Sequence, residues 1–128
     1  MKPEFAEKYY RIESAHPWSV GRRDIVRRLI DLLGVPKDAD LLEVGTGGGA
    51  LVEDLVNAGF TSVTGIDMSE LAVGVAQSLG LNQVLQGDAT ALEYEDDSFD
   101  VVIASDVLEH LVHERKALSE WSRVLRPG

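Results

Sequence analysis

The chemistry-bearing residues of this chain gather where apolar runs end. The run Leu41-Leu42-Glu43-Val44 is followed by Gly45-Thr46-Gly47-Gly48-Gly49-Ala50, with three glycines in succession. Glycine has no Cβ, so such a turn takes up strained dihedrals and leaves room for a ligand. Leu51, Val52, Leu55 and Val56 then recur at helical spacing, and the start of that helix offers free N–H groups to the same ligand. Strand, glycine turn and helix in this order bring a backbone close to a nucleotide. Asp67 stands 22 positions after Gly45, about where a nucleotide-binding fold places an acid for ribose hydroxyls. Asp88 and the pair Ser105-Asp106 close two later apolar runs, and His110 follows shortly after.

The elements that must position these residues alternate between two periodicities. Met1 to Val35 reads as a helical preface. Phe5, Tyr9, Tyr10 and Ile12 give a first helix one aromatic side, and His16-Pro17-Trp18 breaks it, because the residue before proline avoids the helical region. Ser19 is placed to cap a second helix. Ile25, Val26, Leu29, Ile30, Leu32 and Leu33 predict its buried stripe, and Gly34 its stop. Strands are predicted at Leu41–Val44, Ser62–Ile66, Gln83–Gln86 and Phe99–Ala104. Helices are predicted from the glycine turn to about Ala58, from a Ser69 cap to Gly80, and over Val107–Val112 and Glu114–Leu125. This alternation predicts an α/β fold, an open parallel sheet with flanking helices and right-handed crossovers. The four acid-bearing turns then share the C-terminal rim of the sheet, where ligands bind in such folds.

Bulk composition narrows the classes. A chain of 128 residues makes one domain with a real core. The formal charge of −10, from 22 acidic against 12 basic residues, repels phosphate backbones and argues against a nucleic-acid substrate. There is no cysteine, which excludes disulfides and thiolate metal sites. No apolar run is long enough to span a membrane and no signal-peptide pattern is present, so a cytoplasmic location is expected by default. The four arginines Arg22, Arg23, Arg27 and Arg28 read as a solvated helix face, or, for Arg22 or Arg23, as a partner for a ligand carboxylate. Glu93, Glu95, Asp96 and Asp97 read as a solvated connector.

Taken together these segments resemble the class I S-adenosylmethionine-dependent methyltransferases, whose fold is Rossmann-like. Glu43 to Gly49 matches the family's acid followed by G-x-G-x-G, and Gly65-Ile66-Asp67-Met68-Ser69 its second-strand motif. Gly87-Asp88-Ala89 matches the adenine-site motif. Phe99 to Ser105 with Leu108-Glu109-His110-Leu111 matches the fourth-strand block. Arg123-Val124-Leu125-Arg126-Pro127-Gly128 matches the segment that introduces a fifth strand. The resemblance runs from about residue 20 to the end and implies strand order 3-2-1-4. It implies that S-adenosylmethionine is the cofactor and a small molecule or metabolite the methyl acceptor.

It also implies roles. Glu43 faces the cofactor's ammonium. Gly45, Thr46, Gly47 and Gly49 border its methionine and ribose. Asp67 accepts from the ribose diol, since a carboxylate has lone pairs for both hydroxyls. Met68 lies on the adenine, Asp88 accepts from its amino group, and the Ala89 N–H donates to its ring. Ser105 borders the methionine end. His110 and Asp106 are the candidate general bases, should the acceptor need to lose a proton; the other reading of His110 is a residue that orients the loop.

Two other chemistries fit parts of the pattern. Asp106-Val107-Leu108-Glu109-His110, with His113 beyond, resembles an acid-x-x-Glu-His set that holds a divalent ion in some methyltransferases, although a metal is not the expected outcome. Gly45-x-Gly47-x-x-Ala50 with Asp67 also fits a dinucleotide fingerprint and an NAD-dependent dehydrogenase. Residues 1–128 are expected to form one cofactor-binding domain that stops where the family continues into strands five to seven, with residues 1–35 as preface or lid. Tyr9, Tyr10, His16 and Trp18 belong to the core or to that lid. Strand four is then an edge able to pair with another chain or a second copy, and the last helix leads to no strand. A non-catalytic cofactor-binding module is the alternative to an enzyme.

Overall fold

A computed structural model of the chain describes residues 2–105, 107 and 111–128. Its centre is β1 (Asp40–Val44), paired in parallel with β2 (Ser62–Asp67) on one side and with β4 (Val101–Ile103) on the other. β3 (Val84–Gln86) lies outside β2, so the order is β3-β2-β1-β4, as the family resemblance implies. β1 is the point at which the order reverses, and the crevice beyond its C-terminal end is where open α/β sheets take ligands.

Strand parity decides which face each β1 residue serves. Leu41 packs with Ile30, Leu51, Val52, Leu55, Val63, Val73, Ala76, Val84 and Ile103. These residues bring α2 (Pro17–Leu32), α3 (Ala50–Asn57) and α4 (Glu70–Ser78) onto one face. Leu42 and Val44 point the other way, to Ile66, Phe99, Ala117, Trp121 and Val124, which seats α5 (Glu114–Val124) opposite. Leu41, Leu42, Val44, Val52, Leu55, Val84 and Val124 are fully buried, each worth about 1.5–3 kcal/mol of transfer free energy. The same parity puts Glu43 on Leu41's side, at the end nearest α2 and α3.

The preface departs from expectation in two ways. α1 (Pro3–Ala15) does break at His16, but the cap of α2 is His16 itself, whose Nδ1 accepts from the Trp18 N–H at 3.2 Å. Pro17 occupies the first helical position, where its fixed φ suits a helix and its missing N–H costs nothing. Ser19 is therefore buried inside α2 and is not its cap. The predicted stripe of α2 is also mostly uncovered: Ile30 is buried, while Ile25, Leu29, Leu32 and Leu33 are 52–82% exposed. α2 joins the core through Ile30, with Val26 packed beside it, and the rest of its stripe faces outward.

As expected, no strand follows α5 among the described residues and β4 is an edge of the sheet. Past α5 the backbone does not leave the sheet. Leu125 bridges Phe99 in parallel, and the Arg126 N–H donates to the Phe99 carbonyl at 2.8 Å. One residue of pairing thus forms just ahead of β4, and Arg126 anchors it through Asp40 and Asp100 at 2.9 and 3.0 Å. The acidic connector is not merely solvated either, because Asp96 pairs with Arg123 at 2.9 Å. The helix expected over Val107–Val112 falls largely outside the described residues; Val107, Leu111 and Val112 themselves are non-helical. No described helix is long and apolar enough to cross a membrane.

Candidate functional site

The turn after β1 is held from beneath by its neighbour strand. The N–H groups of Gly45 and Thr46 both donate to the Ile66 carbonyl, at 2.9 and 3.0 Å. Gly45 and Gly47 take φ of 73° and 58°, a region that side chains with a Cβ rarely adopt. At Gly49, φ is 85° and a Cβ would stand 2.8 Å from Leu81, so the packing of α4 and β3 against the turn also requires glycine. Ser69 caps α4 as predicted, accepting from the Ala72 N–H at 3.2 Å.

Asp67 stiffens this turn from β2. One carboxylate oxygen accepts from the Gly47 N–H at 2.9 Å, the other from the Ser69 N–H at 2.9 Å. Both oxygens keep further lone pairs, and Asp67 is half-buried. Beside it lies an apolar slot of about 260 Å³, bounded by Val44, Gly45, Ile66, Met68, Ala89 and Leu111. Met68 is 66% exposed at its mouth. Ala89 is fixed by its carbonyl, which accepts from the Trp121 indole N–H at 3.1 Å; its own N–H has no such tie among the described residues. Asp88 forms a tight local turn, with Oδ1 accepting from the Thr90 N–H and hydroxyl at 2.8 and 2.7 Å. Those two bonds hold its carboxyl below the usual carboxylate range.

Across Gly45 the cleft continues into a polar compartment of about 340 Å³. Its floor is the glycine turn, and its wall holds Glu43, Ser19, Arg22 and Arg23. Glu43 is 4% exposed and accepts from the Thr46 hydroxyl at 2.5 Å. Burial pushes its pKa up to about 7, against the pull of Thr46 and then of Arg22. Arg22 Nη1 donates to the Ser105 hydroxyl at 2.6 Å. Its Nε is buried without a partner among the described residues, an expensive condition for a charged donor. Arg23 binds Asp54 at 2.8 Å and the Ser14 carbonyl at 2.9 Å. Of the four arginines read first as a solvated face, Arg22 and Arg23 therefore turn inward, while Arg28 pairs with Asp24 in the open.

The structure thus brings Glu43, Gly45, Thr46, Gly47 and Gly49 to one compartment and Gly45, Asp67, Met68 and Ala89 to the other. Asp88 flanks the second through Ala89, and Ser105 is tied to the first through Arg22. Asp106 and His110, with the Asp106–Glu109–His110 metal pattern, lie outside the described residues. The Thr46–Glu43 bond and the reach of Ser14 toward Arg23 carry no sequence signature. Chemically the cleft offers a buried acid and a half-satisfied guanidinium at one end, an acid with spare lone pairs in the middle, and an apolar slot at the other end. That set suits a ligand with a zwitterionic head, a diol and a flat base.

Comparison with known proteins bears on the family and the fold. Residues 42–128 match a family described as a methyltransferase domain. The ubiquinone biosynthesis O-methyltransferase of Xanthomonas oryzae pv. oryzae is 34% identical over 119 residues, covering 88% of this chain and 48% of that protein. The demethylmenaquinone methyltransferase of Renibacterium salmoninarum is 36% identical over 113 residues, covering 86% and 47%. A crystal structure of a protein from Methanococcus maripaludis superposes with a TM-score of 0.84 at 22% identity, over 99% of this chain and 60% of that one, which speaks to the fold alone. The chain spans about half the length of the curated relatives it matches. With the family's matched segment running from β1 through the glycine turn to the end of the sequence, the chain belongs to the methyltransferase domain family.

Proposed function

We propose that the chain is the cofactor-binding part of an S-adenosylmethionine-dependent methyltransferase acting on a small-molecule acceptor. The observation that carries this reading is the polar compartment. A buried acid stands there beside a guanidinium whose Nε has no partner among the described residues, and Gly45 joins that compartment to a slot bordered by Asp67. The cofactor's amino-acid end supplies an ammonium for Glu43 and a carboxylate for Arg22, which satisfies both groups at once. Asp67 keeps acceptor capacity for the ribose diol. Met68 and Ala89 border the space a purine needs, with Asp88 beside them. These residues fit the group that the family uses.

When bound, S-adenosylmethionine supplies a sulfonium-activated methyl group. The work left to the protein is placement. The glycine turn allows close backbone approach, Asp67 fixes the ribose, and Glu43 with Arg22 fixes the amino-acid end. Holding donor and acceptor in line contributes on the order of 7–11 kcal/mol to lowering the barrier. A base is required only if the acceptor must shed a proton, and Asp106 and His110 keep that candidacy from the sequence. The small-molecule acceptor is supported by two observations: relatives named for quinone biosynthesis and a formal charge of −10, which repels nucleic acid. A binding module that holds the cofactor without turnover is the second reading.

Calorimetric titration with S-adenosylmethionine, S-adenosylhomocysteine and NADH separates these. The expected result is binding of the first two and none of the third. Transfer of a labelled methyl to any member of a phenol, amine and carboxylate panel makes the chain an enzyme. Cofactor binding without transfer leaves it a module, and absence of binding removes the proposal.

A further inference from the structure

α1 lies across the polar compartment as a strap attached at three places. At its hinge end, the Ser14 carbonyl accepts from Arg23, which is itself paired with Asp54 of α3. His16, with extended φ and ψ of −65° and 137°, separates α1 from α2. At its far end Ala6 is fully buried, where α1 packs on α4. Between the two, Tyr10 lies on the glycine turn. A Cβ on Gly48 would stand 3.0 Å from Tyr10 Cβ and 3.2 Å from its Cγ, and one on Gly47 would stand 3.7 Å from its Cε1. The Tyr10 hydroxyl faces Ser69 and Asp67, and burial raises its pKa, so it stays protonated at neutral pH. Tyr9, Arg11, Glu13 and Ser14 complete the wall that α1 gives the compartment.

The rest of α1 is weakly held. Phe5, Tyr9 and Ile12 are 49–61% exposed, and among the described residues of the helix Ala6 is the one buried apolar side chain. A segment with so little buried apolar surface opens at low free-energy cost. Its closed position nonetheless roofs the region where the cofactor's ribose and amino-acid end would meet.

Resting on the cofactor reading above, we infer that α1 is a hinged gate over the bound nucleoside and that the Tyr10 ring is the contact that holds it shut. Release of the ligand then requires α1 to lift from Gly48 about the His16–Pro17 break. Tyr10 is a positioning residue and touches no reacting atom.

The test is stopped-flow measurement of S-adenosylhomocysteine dissociation, alongside calorimetry. Tyr10→Ala is expected to speed dissociation about tenfold or more, with a much smaller change in the association rate. Tyr10→Phe keeps the ring and is expected to stay within about threefold of the parent. Ala6→Asp unseats the far end without touching the cleft and should speed dissociation as well. Melting temperatures should move little, because α1 contributes one buried apolar side chain. In the unmutated protein, bound S-adenosylhomocysteine should slow amide exchange over residues 8–14. Binding with an unchanged dissociation rate in Tyr10→Ala, a Phe variant as fast as the Ala variant, or no gain in α1 protection each overturns the gate and leaves the cofactor reading standing. Failure of the unmutated protein to bind at all removes both.

Discussion

At one end of the cleft Glu43 is buried with a single hydrogen-bond donor, Thr46, and Arg22 keeps an unpartnered Nε among the described residues. In the middle, Asp67 has both oxygens occupied by backbone N–H groups, and Asp88 is wrapped by Thr90. The first arrangement is costly until a ligand arrives. The second is satisfied before it arrives. The contrast assigns the two ends different tasks: charge stored for a charged head, and rigid acceptors for a neutral sugar and base. Their sensitivities to mutation and pH should therefore differ in kind.

The largest expected effect lies at Glu43. Its folded pKa of about 7 is raised above the ordinary 4.5. The protonated form therefore contributes stability fully below about pH 4.5, and that contribution is lost as pH rises through 7. Glu43→Gln should accordingly stabilise the ligand-free protein at pH 8 by up to about 3 kcal/mol, and not at all at low pH. It should also weaken the cofactor, whose ammonium loses its anion. In the unmutated protein, affinity should rise by up to about tenfold per unit between roughly pH 5.5 and 7. Proton release should accompany binding in that window, read from calorimetry in buffers of different ionisation enthalpy. A flat pH profile would erase the distinction between the two ends.

How far the sequence reveals this contrast follows from which interactions are local. The glycine turn, the Ser69 cap, Asp67 and the alternation of four strands with helices are set by short-range chemistry and are readable, whereas the strand order follows from the family resemblance. Glu43's carboxylate is readable as a motif residue, but its environment is not. Its burial depends on strand parity together with α2, and the partners Arg22 and Arg23 come from a helix whose facing is ambiguous. The same ambiguity explains the misplaced Ser19 cap and the α2 stripe. Pro17 and His16 start that helix earlier than a serine signal suggests, and hydrophobic spacing records a face without recording whether anything covers it. Tyr10 illustrates the limit from the other side. An aromatic at helical spacing reads more readily as core than as lid, and its closeness to Gly48 is what supports the lid.

Asp67 carries the next largest effect. Asp67→Ala should weaken S-adenosylhomocysteine by roughly 1–3 kcal/mol through loss of the diol contact, and it leaves the N–H groups of Gly47 and Ser69 without their acceptor. A 2′-deoxy ligand should show less sensitivity to the mutation than the parent ligand does. Equal losses for both ligands would confine Asp67 to shaping the turn.

The smallest effect is expected at Asp88, and it tests selectivity more than affinity. Its Oδ1 is spent on Thr90, so only the other oxygen is left for a base. Asp88→Asn leaves its one oxygen on Thr90 and turns a donor toward the base, so S-adenosylhomocysteine loses an acceptor and should weaken by about 1 kcal/mol. The added N–H₂ can donate to a carbonyl at the purine 6-position, which the native carboxylate repels. The affinity ratio between S-adenosylhomocysteine and its inosyl analogue should therefore narrow by about tenfold, since exchanging a repelled acceptor for a matched donor is worth on the order of 1.5 kcal/mol. The preference arises from one oxygen whose neighbour is held by a local turn, so it should narrow without any change in the proton release traced to Glu43. A variant that altered proton release and base preference together would join the two ends of the cleft into one electrostatic unit.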